Sequence, residues 1–546
     1  MNPSGRRRRH AQFVAACAAL LVVLATSRIV QGLYTDPAQQ LRAVQQRVNG
    51  ESTSMNRWVH PDSADVSRDV GQWIILWTPG TELFAYPLMR AGLTMGASVR
   101  VIAATCLVIG AVGWVTWFSL FALPDWMLLA LAATFPFVRY VSNGLFLYSA
   151  EMLAFASAPW LLMTARAYLD RRTESPSGGA ARALGVGALL GAAYWLKGSL
   201  AFVAVGALAA IAFCEWRRRS GSNRWWVTAG AAAAGTAIPF LVLTVLNRLA
   251  GGESTNQVTD TFRWQAPGWR TVLDAIALPA LQLTDAGALW QYLLMHPAHP
   301  VVRDAAWLGL IGLPGGLLLW WLVCRPSVGG AAATLARGVF LASVGLLAGI
   351  WAISVVTHEW RHLASAAFAV LPLALADARA RWTRSAPLAR AAFAAAGVFY
   401  LCVPLAYGVT SVVQKVRRFP PDYQPGPARI YNPQLSETNI RAVRDTLLAL
   451  GRPDDVWYLM EPISALDLPV RSVISGADFR DPDDLRADRF FTSRPVRVHA
   501  LLPSRFESNG KGPIVRASFP QADAWASTTI AGSDYRLWTA DLHAGR

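Results

Sequence analysis

Apolar segments of membrane-spanning length recur along the first 413 residues, and they limit the possible folds more than any other feature of the sequence. A helix needs about 20 mostly apolar residues to cross a bilayer. The pattern predicts about eleven spans, of which the two short ones on either side of Lys197 could form one re-entrant unit. The sequence therefore predicts an all-α polytopic membrane domain over residues 1–413. The predicted spans lie near residues 12–32, 98–121, 124–142, 145–168, 183–197, 199–214, 226–247, 304–324, 338–357, 362–378 and 391–413.

The amino-acid composition excludes an ordinary soluble protein. Only 15% of the residues are charged, whereas soluble domains carry about 25%. The net charge of +16 could indicate a nucleic-acid partner, but the basic residues form short runs between the apolar segments. That distribution is typical of the positive-inside rule, so we expect the lipid bilayer, and no nucleic acid, as a partner. The five cysteines lie inside or at the ends of apolar segments, without the spacing of a disulfide framework or a zinc finger.

The basic runs also predict the orientation of the chain. Residues 6–9 are four arginines, and the apolar run that follows over residues 13–30 is longer than the core of a signal peptide, which has about 7–15 residues. We interpret this run as a retained first span with the N-terminus in the cytoplasm. The inner loops then carry arginine clusters, as the positive-inside rule requires. These loops fall near residues 169–182, 215–225, 325–337 and 379–390.

Three larger segments are left on the outer side, at residues 33–97, 248–303 and 414–546. The last segment is rich in Asp, Arg and Pro and lacks an apolar run of spanning length. We expect it to form a small extracytoplasmic α/β domain without a recognisable catalytic motif. Its predicted elements are a helix over Ser436–Leu450 and strands over Val456–Met460, Val496–Leu502 and Tyr535–Trp538.

The first outer segment carries two candidate catalytic acids. Asp36 directly follows the first span. It could be a solvated carboxylate, the N-cap of a helix that begins at Pro37, or a general base or metal-linked carboxylate at the membrane surface. Glu82 is the reserve candidate for a second acid. Between them, Trp77-Thr78-Pro79-Gly80 indicates a return of the chain to the interface.

Two ionisable residues lie within or beside predicted spans, where a charge is costly and marks a candidate functional position. Glu151 is expected about two turns into the fourth span, where a carboxylate must pair, become protonated or face a cavity. Its structural alternative is an ion pair with Arg139 or Lys197. Lys197 interrupts an apolar hairpin at its outer end, where it could extend to the interface or hold a phosphate as a compact point charge.

A cluster of polar residues, His358-Glu359-Trp360-Arg361-His362, joins the ninth and tenth predicted spans. Formally it matches H-E-x-x-H, the zinc-binding helix of metalloproteases. However, it lies at a predicted turn rather than within a helix, carries Arg361 inside the motif, and lacks a third ligand at a recognised spacing. We therefore favour a cationic substrate-binding cluster, in which Arg361 matches the geometry of a phosphate.

These candidate residues are expected on one side of the membrane and at one depth. A carboxylate of the base type, an intramembrane glutamate, a lysine and an Arg/His cluster suit a reaction on a lipid phosphate at the outer interface. Arginine and lysine would bind the phosphate and stabilise it as it leaves. A carboxylate would activate the hydroxyl group of an acceptor.

At four positions the chain resembles the GT-C glycosyltransferases, the polytopic class that includes aminoarabinose transferases and protein O-mannosyltransferases. Asp36 corresponds to the carboxylate after the first span of that family. The chain departs from the family pattern at Pro37, where an acid is frequent, and at Thr78, where a proline is common. The three longer matches are Trp77-Thr78-Pro79-Gly80 through Pro87 with a W-P-P-G segment, Tyr148-Ser149-Ala150-Glu151-Met152-Leu153 with an S-E-x-L span opening, and Glu359-Trp360-Arg361-His362 through Pro372 with an E-x-R-Y turn.

The resemblance implies an enzyme of the bacterial inner membrane that moves a sugar from a polyprenyl-phosphate donor to an extracytoplasmic lipid, glycan or protein. It implies that Asp36 is the base and that Lys197, Arg361 and His362 bind the donor phosphate. Glu151 would shape the site or pair with one of these cations. The resemblance leaves open whether a divalent cation takes part, since some relatives use one and others do not.

Two other functions fit parts of the pattern. A transporter or flippase of a polyprenyl-linked glycan would also need charged residues within the membrane. Transporters often show repeated halves, which we do not find in this sequence, and a transport path would place polar residues at several depths. The remaining alternative is a non-catalytic membrane scaffold whose outer tail binds a partner.

Overall fold

The chain is mainly helical, with a sheet near its C-terminus. The computed structural model describes residues 3–52, 54–74, 77–170, 176–218, 225–251, 268–284, 309, 312–325, 328–353, 360–382, 386–420, 423, 425–431, 440–460, 462–467, 470–477 and 480–544. The helices up to residue 418 are α1 (Pro3–Ala25), α2 (Thr35–Val48), α3 (Gly80–Arg90), α4 (Met95–Phe118), α5 (Asp125–Thr134), α6 (Arg139–Ser142), α7 (Glu151–Asp170), α8 (Pro176–Ala192), α9 (Leu200–Arg218), α10 (Trp225–Gly251), α11 (Trp269–Thr284), α12 (Leu313–Cys324), α13 (Ala331–Ile353), α14 (Ala364–Trp382) and α15 (Pro387–Arg418). The strands among them are β1 (Gly32–Leu33), β2 (Arg57–Asp62), β3 (Asp65–Trp73) and β4 (Leu147–Tyr148).

A helix lies at each position where the sequence predicts a span, but the helices differ in length. A mainly helical chain with several apolar helices is confirmed, and the count of about eleven spans stays a prediction. A further span arises if the bent pair Asp125–Phe137 and Arg139–Leu145 crosses as one unit. Within the described ranges, the five helices that are long and apolar enough to cross a membrane are Gly5–Ala25, Met95–Phe118, Leu200–Arg218, Trp225–Ala250 and Ala331–Ala352.

The fourth predicted span begins later than the sequence suggests. Strand β4, at Leu147–Tyr148, pairs in parallel with β1, so these residues are not helical. Helix α7 begins only at Glu151. The expectation that Glu151 lies two turns into a span is therefore wrong, because it is the first residue of the helix. The apolar residues before it suggested a longer span, but Leu145 and Tyr148 are buried in the packing around the ladder instead.

Glycines allow close packing in the bundle, as in the contact between α8 and α10. A Cβ added to Gly187 would lie 2.1 Å from the carbonyl oxygen of Ala232. On the facing helix, a Cβ added to Gly235 would lie 2.2 Å from the carbonyl oxygen of Leu184. These two helices therefore pack backbone against backbone, which larger residues would prevent.

The predicted inner ends of several helices meet at one end of the bundle. Arg7 Nε lies 2.8 Å from Asp125 Oδ1, and Arg379 Nη1 donates to the carbonyl oxygen of Ala122 at 2.7 Å. The turn before α5 carries no arginine of its own, and these contacts place basic residues of other segments beside it. The side of the membrane on which this end lies stays a prediction.

The two predicted outer segments before α12 contain regular structure. In the first, β2 and β3 form an antiparallel hairpin between α2 and α3. In the second, the described part includes α11, and the start of α12 packs against it. A Cβ added to Gly316 would lie 2.1 Å from the carbonyl oxygen of Ile276. The segment that was expected to be an outer loop therefore contributes a helix that packs against the bundle.

The residues from 440 to 544, here called the C-terminal domain, form a mixed five-stranded sheet with short helices. The strand order is β6-β5-β7-β9-β8, in which β6, β5 and β7 are parallel and β9 is antiparallel to both neighbours. The elements are α16 (Ile440–Leu450), β5 (Val456–Leu459), α17 (Pro462–Asp467), β6 (Arg471–Ile474), α18 (Pro482–Arg486), β7 (Val496–Pro503), α19 (Arg505–Ser508), α20 (Lys511–Ala517), β8 (Ala526–Thr529) and β9 (Tyr535–Leu542).

The sequence predicts the centre of this sheet and misses its edges. The structure has a strand at each of the three predicted positions, and a helix over the described part of the predicted one. The edge strands β6 and β8 have only four residues each, and β8 is exposed throughout. Strands that are short and polar lack the apolar pattern on which sequence-based prediction depends.

Candidate active site beside the first outer segment

A two-residue parallel ladder brings the helices of Asp36 and Glu151 together. Leu33 of β1 pairs with Tyr148 of β4, and the backbone N–H of Tyr34 donates to the carbonyl oxygen of Tyr148 at 3.1 Å. Asp36 and Glu151 each lie three residues beyond the last paired positions, in the first turns of α2 and α7. Because parallel strands run in one direction, both helices begin at the same edge of the ladder.

Asp36 is half-buried in the first turn of α2. The N-cap position of this helix belongs to Tyr34, so the interpretation of Asp36 as an N-cap is wrong. Pro37 follows in the first turn, where a missing N–H is tolerated. Negative charge is favoured at a helix N-terminus. The structure therefore leaves Asp36 as a first-turn carboxylate beside the ladder.

Glu151 forms an ion pair with Lys197, which lies between α8 and α9. Lys197 Nζ is 3.0 Å from Glu151 Oε1, and the side chains are 18% and 7% exposed. Of the two partners considered for a structural pair, the structure selects Lys197. Arg139 instead lies over the ring of Tyr407, 5.3 Å from its centre. Removing one partner of a buried pair costs about 3–5 kcal/mol, because the other charge is left uncompensated.

The Trp77–Gly80 segment approaches the same place from a third direction. Gly80, the first residue of α3, packs on the backbone of Leu196, and an added Cβ would lie 2.0 Å from the carbonyl oxygen of Leu196. The next residue, Thr81, has its hydroxyl 3.4 Å from the hydroxyl of Tyr148. Helix α3 therefore begins directly beside the Lys197 turn and the ladder, and only glycine fits at position 80.

Glu82 lies on another face of α3. Its side chain is 1% exposed, Arg47 Nη1 lies 2.9 Å from Oε1, and the backbone N–H of Asn56 donates to Oε2. Successive helix residues are rotated by about 100°, so Glu82 points about 200° away from Gly80. Burial raises the pKa of Glu82, although the bonds from Asn56 and Arg47 oppose this. These contacts join α3 to α2, and a catalytic role for Glu82 stays a prediction.

The structure describes only part of the predicted cationic cluster. His358 and Glu359 lie outside the described residues. Arg361 belongs to a 3₁₀ turn over Trp360–Leu363 that directly precedes α14. His362, in the same turn, is half-buried. The described part of the motif is thus a turn, as expected, rather than a long helix that would present two histidines on one face.

Aromatic packing places this turn near the start of α7. Phe155, one helical turn after Glu151, has its ring centre 6.2 Å from that of Phe368 in α14. Phe368 lies six residues after His362. Trp114 of α4 packs against the same Phe368 ring at 5.6 Å. The turn before α14 and the first turn of α7 therefore belong to neighbouring helices.

A polar chain beside Asp36 was missed at the level of the sequence. Lys415, near the end of α15, donates to Asn143 Oδ1, and Asn143 Nδ2 donates to the hydroxyl of Tyr34 at 3.1 Å. Lys415 Nζ also lies 4.4 Å from the centre of the Phe146 ring. The one available signal was a group of basic residues at the predicted outer end of the last span, where the positive-inside rule does not expect them.

An apolar groove of about 720 Å³ lies on the side of the bundle formed by α3, α4, α7 and α8. Residues of these helices line it, together with Ala193 and Leu196. Leu153, on its wall, lies two residues after Glu151, and Leu196 directly precedes Lys197. Two lining residues are thus close in the chain to the Glu151–Lys197 pair, although neither charged side chain lines the groove.

The other rim of the groove lies on the outer surface of the bundle. Phe84, Trp160 and Leu189 all line the groove, and each is at least 40% exposed. Exposed apolar side chains of this size face lipid in a membrane-spanning bundle. An apolar groove that opens towards lipid fits a long hydrocarbon chain.

The structure does not test the involvement of a divalent cation. Within the part of the chain that it describes, no three His, Cys, Asp or Glu side chains lie close enough together to hold a metal ion. Carboxylate oxygens are the ligands that Mg²⁺ prefers. The carboxylate of Glu151 is engaged by Lys197, and a metal-linked role for Asp36 stays a prediction.

By sequence, the chain matches no family model and no curated protein. By fold, it matches two crystal structures of ArnT from Cupriavidus metallidurans. The one bound to undecaprenyl phosphate has a TM-score of 0.51 and 10% identity, over 98% of this chain and 99% of that chain. The apo structure has a TM-score of 0.50 and 12% identity, over 98% of both chains. This chain has the fold of ArnT.

ArnT is a polytopic glycosyltransferase of the GT-C class. The fold that the resemblance in the sequence predicts is therefore confirmed. At 10% and 12% identity, the likeness shows the fold and not the activity, because one fold can support different functions.

Proposed function

We propose that this chain is a membrane glycosyltransferase of the GT-C type that moves a sugar from a polyprenyl-phosphate donor to an extracytoplasmic acceptor. The observation that carries the proposal is the apolar groove, which opens towards lipid and has Leu196, the residue before Lys197 of the ion pair, among its lining residues. A prenyl chain in the groove would bring its phosphate to Lys197. The fold of ArnT, one of whose structures is bound to undecaprenyl phosphate, adds support.

Lys197 is proposed to bind the donor phosphate. An ammonium group has three donors, so Lys197 can bond a phosphate oxygen while it keeps its contact with Glu151. The role of Glu151 is then to hold the ammonium of Lys197 in place next to Leu196. Arg361 and His362, with His358 and Glu359 beside them, are proposed to complete the phosphate site from the turn before α14.

Asp36 is proposed as the general base. It would take the proton of an acceptor hydroxyl while the oxygen of that hydroxyl forms a bond to the anomeric carbon of the sugar. The bond between that carbon and the phosphate oxygen breaks, and the phosphate leaves with the bonding electron pair. Lys197 and Arg361 would stabilise the negative charge that develops on the phosphate.

The location in the cell follows from the same proposal. The chain is a multi-pass protein of the bacterial inner membrane, with its N-terminus inside and with residues 414–546 as an outer domain. The proposed boundary lies at the end of the last predicted span, and α15 continues to Arg418. In this arrangement the ladder, the Glu151–Lys197 pair and the C-terminal domain share the outer side, where an envelope acceptor is available.

The first test measures the binding of undecaprenyl phosphate to the purified full-length protein in lipid nanodiscs. Charge-assisted hydrogen bonds contribute about 1.5–3 kcal/mol, so Lys197→Met should weaken binding by about ten- to a hundredfold. The matched control is Arg166→Met. It breaks an ion pair of 2.9 Å with Asp170 at the opposite end of α7. Equal affinities in the two variants would contradict the phosphate site.

The second test separates transfer from transport. The full-length protein is reconstituted with a set of polyprenyl-phosphate sugars and an extract of envelope acceptors. Asp36→Asn should abolish sugar transfer and leave the binding of undecaprenyl phosphate unchanged, since it removes the base and not the phosphate site. A flippase would move the lipid-linked sugar across the bilayer with or without Asp36. Full transfer activity in Asp36→Asn would show that the base is misassigned.

A further inference from the structure

Helix α2 is held on several sides by its own polar side chains. Gln40, Arg42 and Gln46 are each at most 4% exposed, although they lie outside the predicted spans. Five polar residues between Gln40 and Arg47 each bond to a partner on another segment. The contacts are Gln40 Nε2 to Thr78 O at 2.7 Å, Arg42 Nη2 to Val470 O at 3.0 Å, Gln45 Nε2 to Leu466 O at 3.0 Å, Gln46 Nε2 to Val59 O at 2.6 Å, and Arg47 Nη1 to Glu82 Oε1 at 2.9 Å.

Two of these residues reach the C-terminal domain and act as a unit. Arg42 and Gln45 bind the carbonyl oxygens of Val470 and Leu466, at the two ends of the connection between α17 and β6. Arg42 Nη1 also donates to Gln45 Oε1 at 2.7 Å, so that each side chain fixes the other. We call this pair the α2 clamp.

The α2 clamp is poorly suited to adding stability. Burial lowers the pKa of Arg42, because the charged guanidinium has lost water. Among the described residues, its Nε has no hydrogen-bond partner. A buried cation without full compensation costs free energy. The contact does, however, fix the angle between α2 and the C-terminal domain, since a planar guanidinium bonds in fixed directions.

Asp36 lies on the same helix, six residues before Arg42, which corresponds to about 9 Å along the axis. A helix is rigid over this length, so the clamp on its second half acts together with the ladder at Tyr34 to set the position of its first turn. We propose that the C-terminal domain positions Asp36 through Arg42 and Gln45. This inference rests on the proposed role of Asp36 as a base, and it assigns the C-terminal domain a part in the reaction without any contact with the substrate.

A second attachment of the C-terminal domain provides a matched control. Arg471, in β6, donates to both carboxylate oxygens of Asp69 at 2.9–3.1 Å and to the carbonyl oxygen of Val66 at 3.0 Å. These partners belong to the β2–β3 hairpin and not to α2. Arg471→Met therefore loosens the same domain from the same outer segment without breaking the clamp.

The experiment compares Arg42→Met with Arg471→Met in the full-length protein in nanodiscs. Hydrogen exchange of the backbone amides at residues 38–41 reports the order of the first turns of α2 and needs no substrate. Loss of the clamp should speed this exchange by about tenfold or more, since bonds from a charged group are lost. In sugar transfer, kcat should fall by a similar factor while KM for the donor stays within about twofold. Arg471→Met should change both quantities by less than about twofold.

The possible outcomes test the α2 clamp and the proposed function independently of each other. Unchanged exchange in Arg42→Met, or an equal response in Arg471→Met, overturns the inference. Should Arg42→Met fail to fold, Gln45→Met removes the bonds to Leu466 and to Arg42 while Arg42 keeps its bond to Val470, and the same comparison applies. Full activity in Asp36→Asn would refute the base assignment, whereas faster exchange in the clamp variants alone would still show that the domain orders α2.

Discussion

Replacing Gly80 with alanine tests whether the contact between α3 and the Lys197 turn holds the site together. The added Cβ would lie 2.0 Å from the carbonyl oxygen of Leu196 and 2.7 Å from its carbonyl carbon. Both are backbone atoms, which cannot rotate away as a side chain does. Since real Cβ contacts are not shorter than 3.0 Å, α3 or the turn must move by about 1 Å. Overpacking of this kind costs about 1–3 kcal/mol.

The assay measures thermal unfolding and the binding of undecaprenyl phosphate by full-length Gly80→Ala. We expect a lower unfolding temperature and weaker binding, because a shifted Leu196 also displaces Lys197. The control is Gly185→Ala in α8, where an added Cβ would meet nothing within 4 Å. Alanine in an open helical position is neutral or stabilises by about 0.5–1 kcal/mol. Identical behaviour of the two variants would refute the reasoning, since α3 would then not be fixed against the turn.

The remaining predictions concern pH. Hydrogen bonds from Ser493 and Ser67 hold the pKa of Asp65 far below its usual range. Its stabilising contribution is therefore complete above about pH 4 and lost as the pH falls through the lowered folded-state pKa. The difference in unfolding temperature between the wild type and Asp65→Asn should shrink below about pH 4, and a constant difference would contradict this. Burial lowers the pKa of His499, so the unfolded chain binds a proton more readily and stability should fall below about pH 6.5. His499→Gln should flatten this fall, measured as unfolding temperature between about pH 7.5 and 5; an unchanged slope would exclude His499 as its cause.

The position of Glu151 shows that the apolar pattern alone can misplace the start of a helix. Residues 145–150 continue an apolar run, so the sequence predicts that the span begins before them. In the structure these residues include strand β4, whose partner β1 lies more than a hundred residues earlier in the chain. The length of an apolar run does not distinguish a helix start from a buried strand. The ladder that decides the geometry of the site was therefore missed.

Some contacts between candidate site residues were predicted from the sequence, and others were missed. The pair of Glu151 with Lys197 was one of two structural alternatives, because a charge in an apolar span needs a partner. The chain from Lys415 through Asn143 to Tyr34 was not predicted, because nothing in the spacing of these residues links them. The burial of Arg42, Gln45 and their neighbours on α2 was also missed, since polar residues outside a span are normally assigned to solvent.

The sequence by itself determined the mainly helical class of fold and the membrane-spanning character, and it named Asp36, Glu151 and Lys197 as site residues, a grouping that stays a prediction. It could do so because apolar run length, the placement of arginines and the cost of an intramembrane charge are properties of short stretches of chain. Only the tertiary structure decided which charged residues form ion pairs with each other. The ladder, the Gly80 contact and the clamp from α2 to the C-terminal domain all join residues far apart in the chain, and such pairings depend on how the elements pack in space.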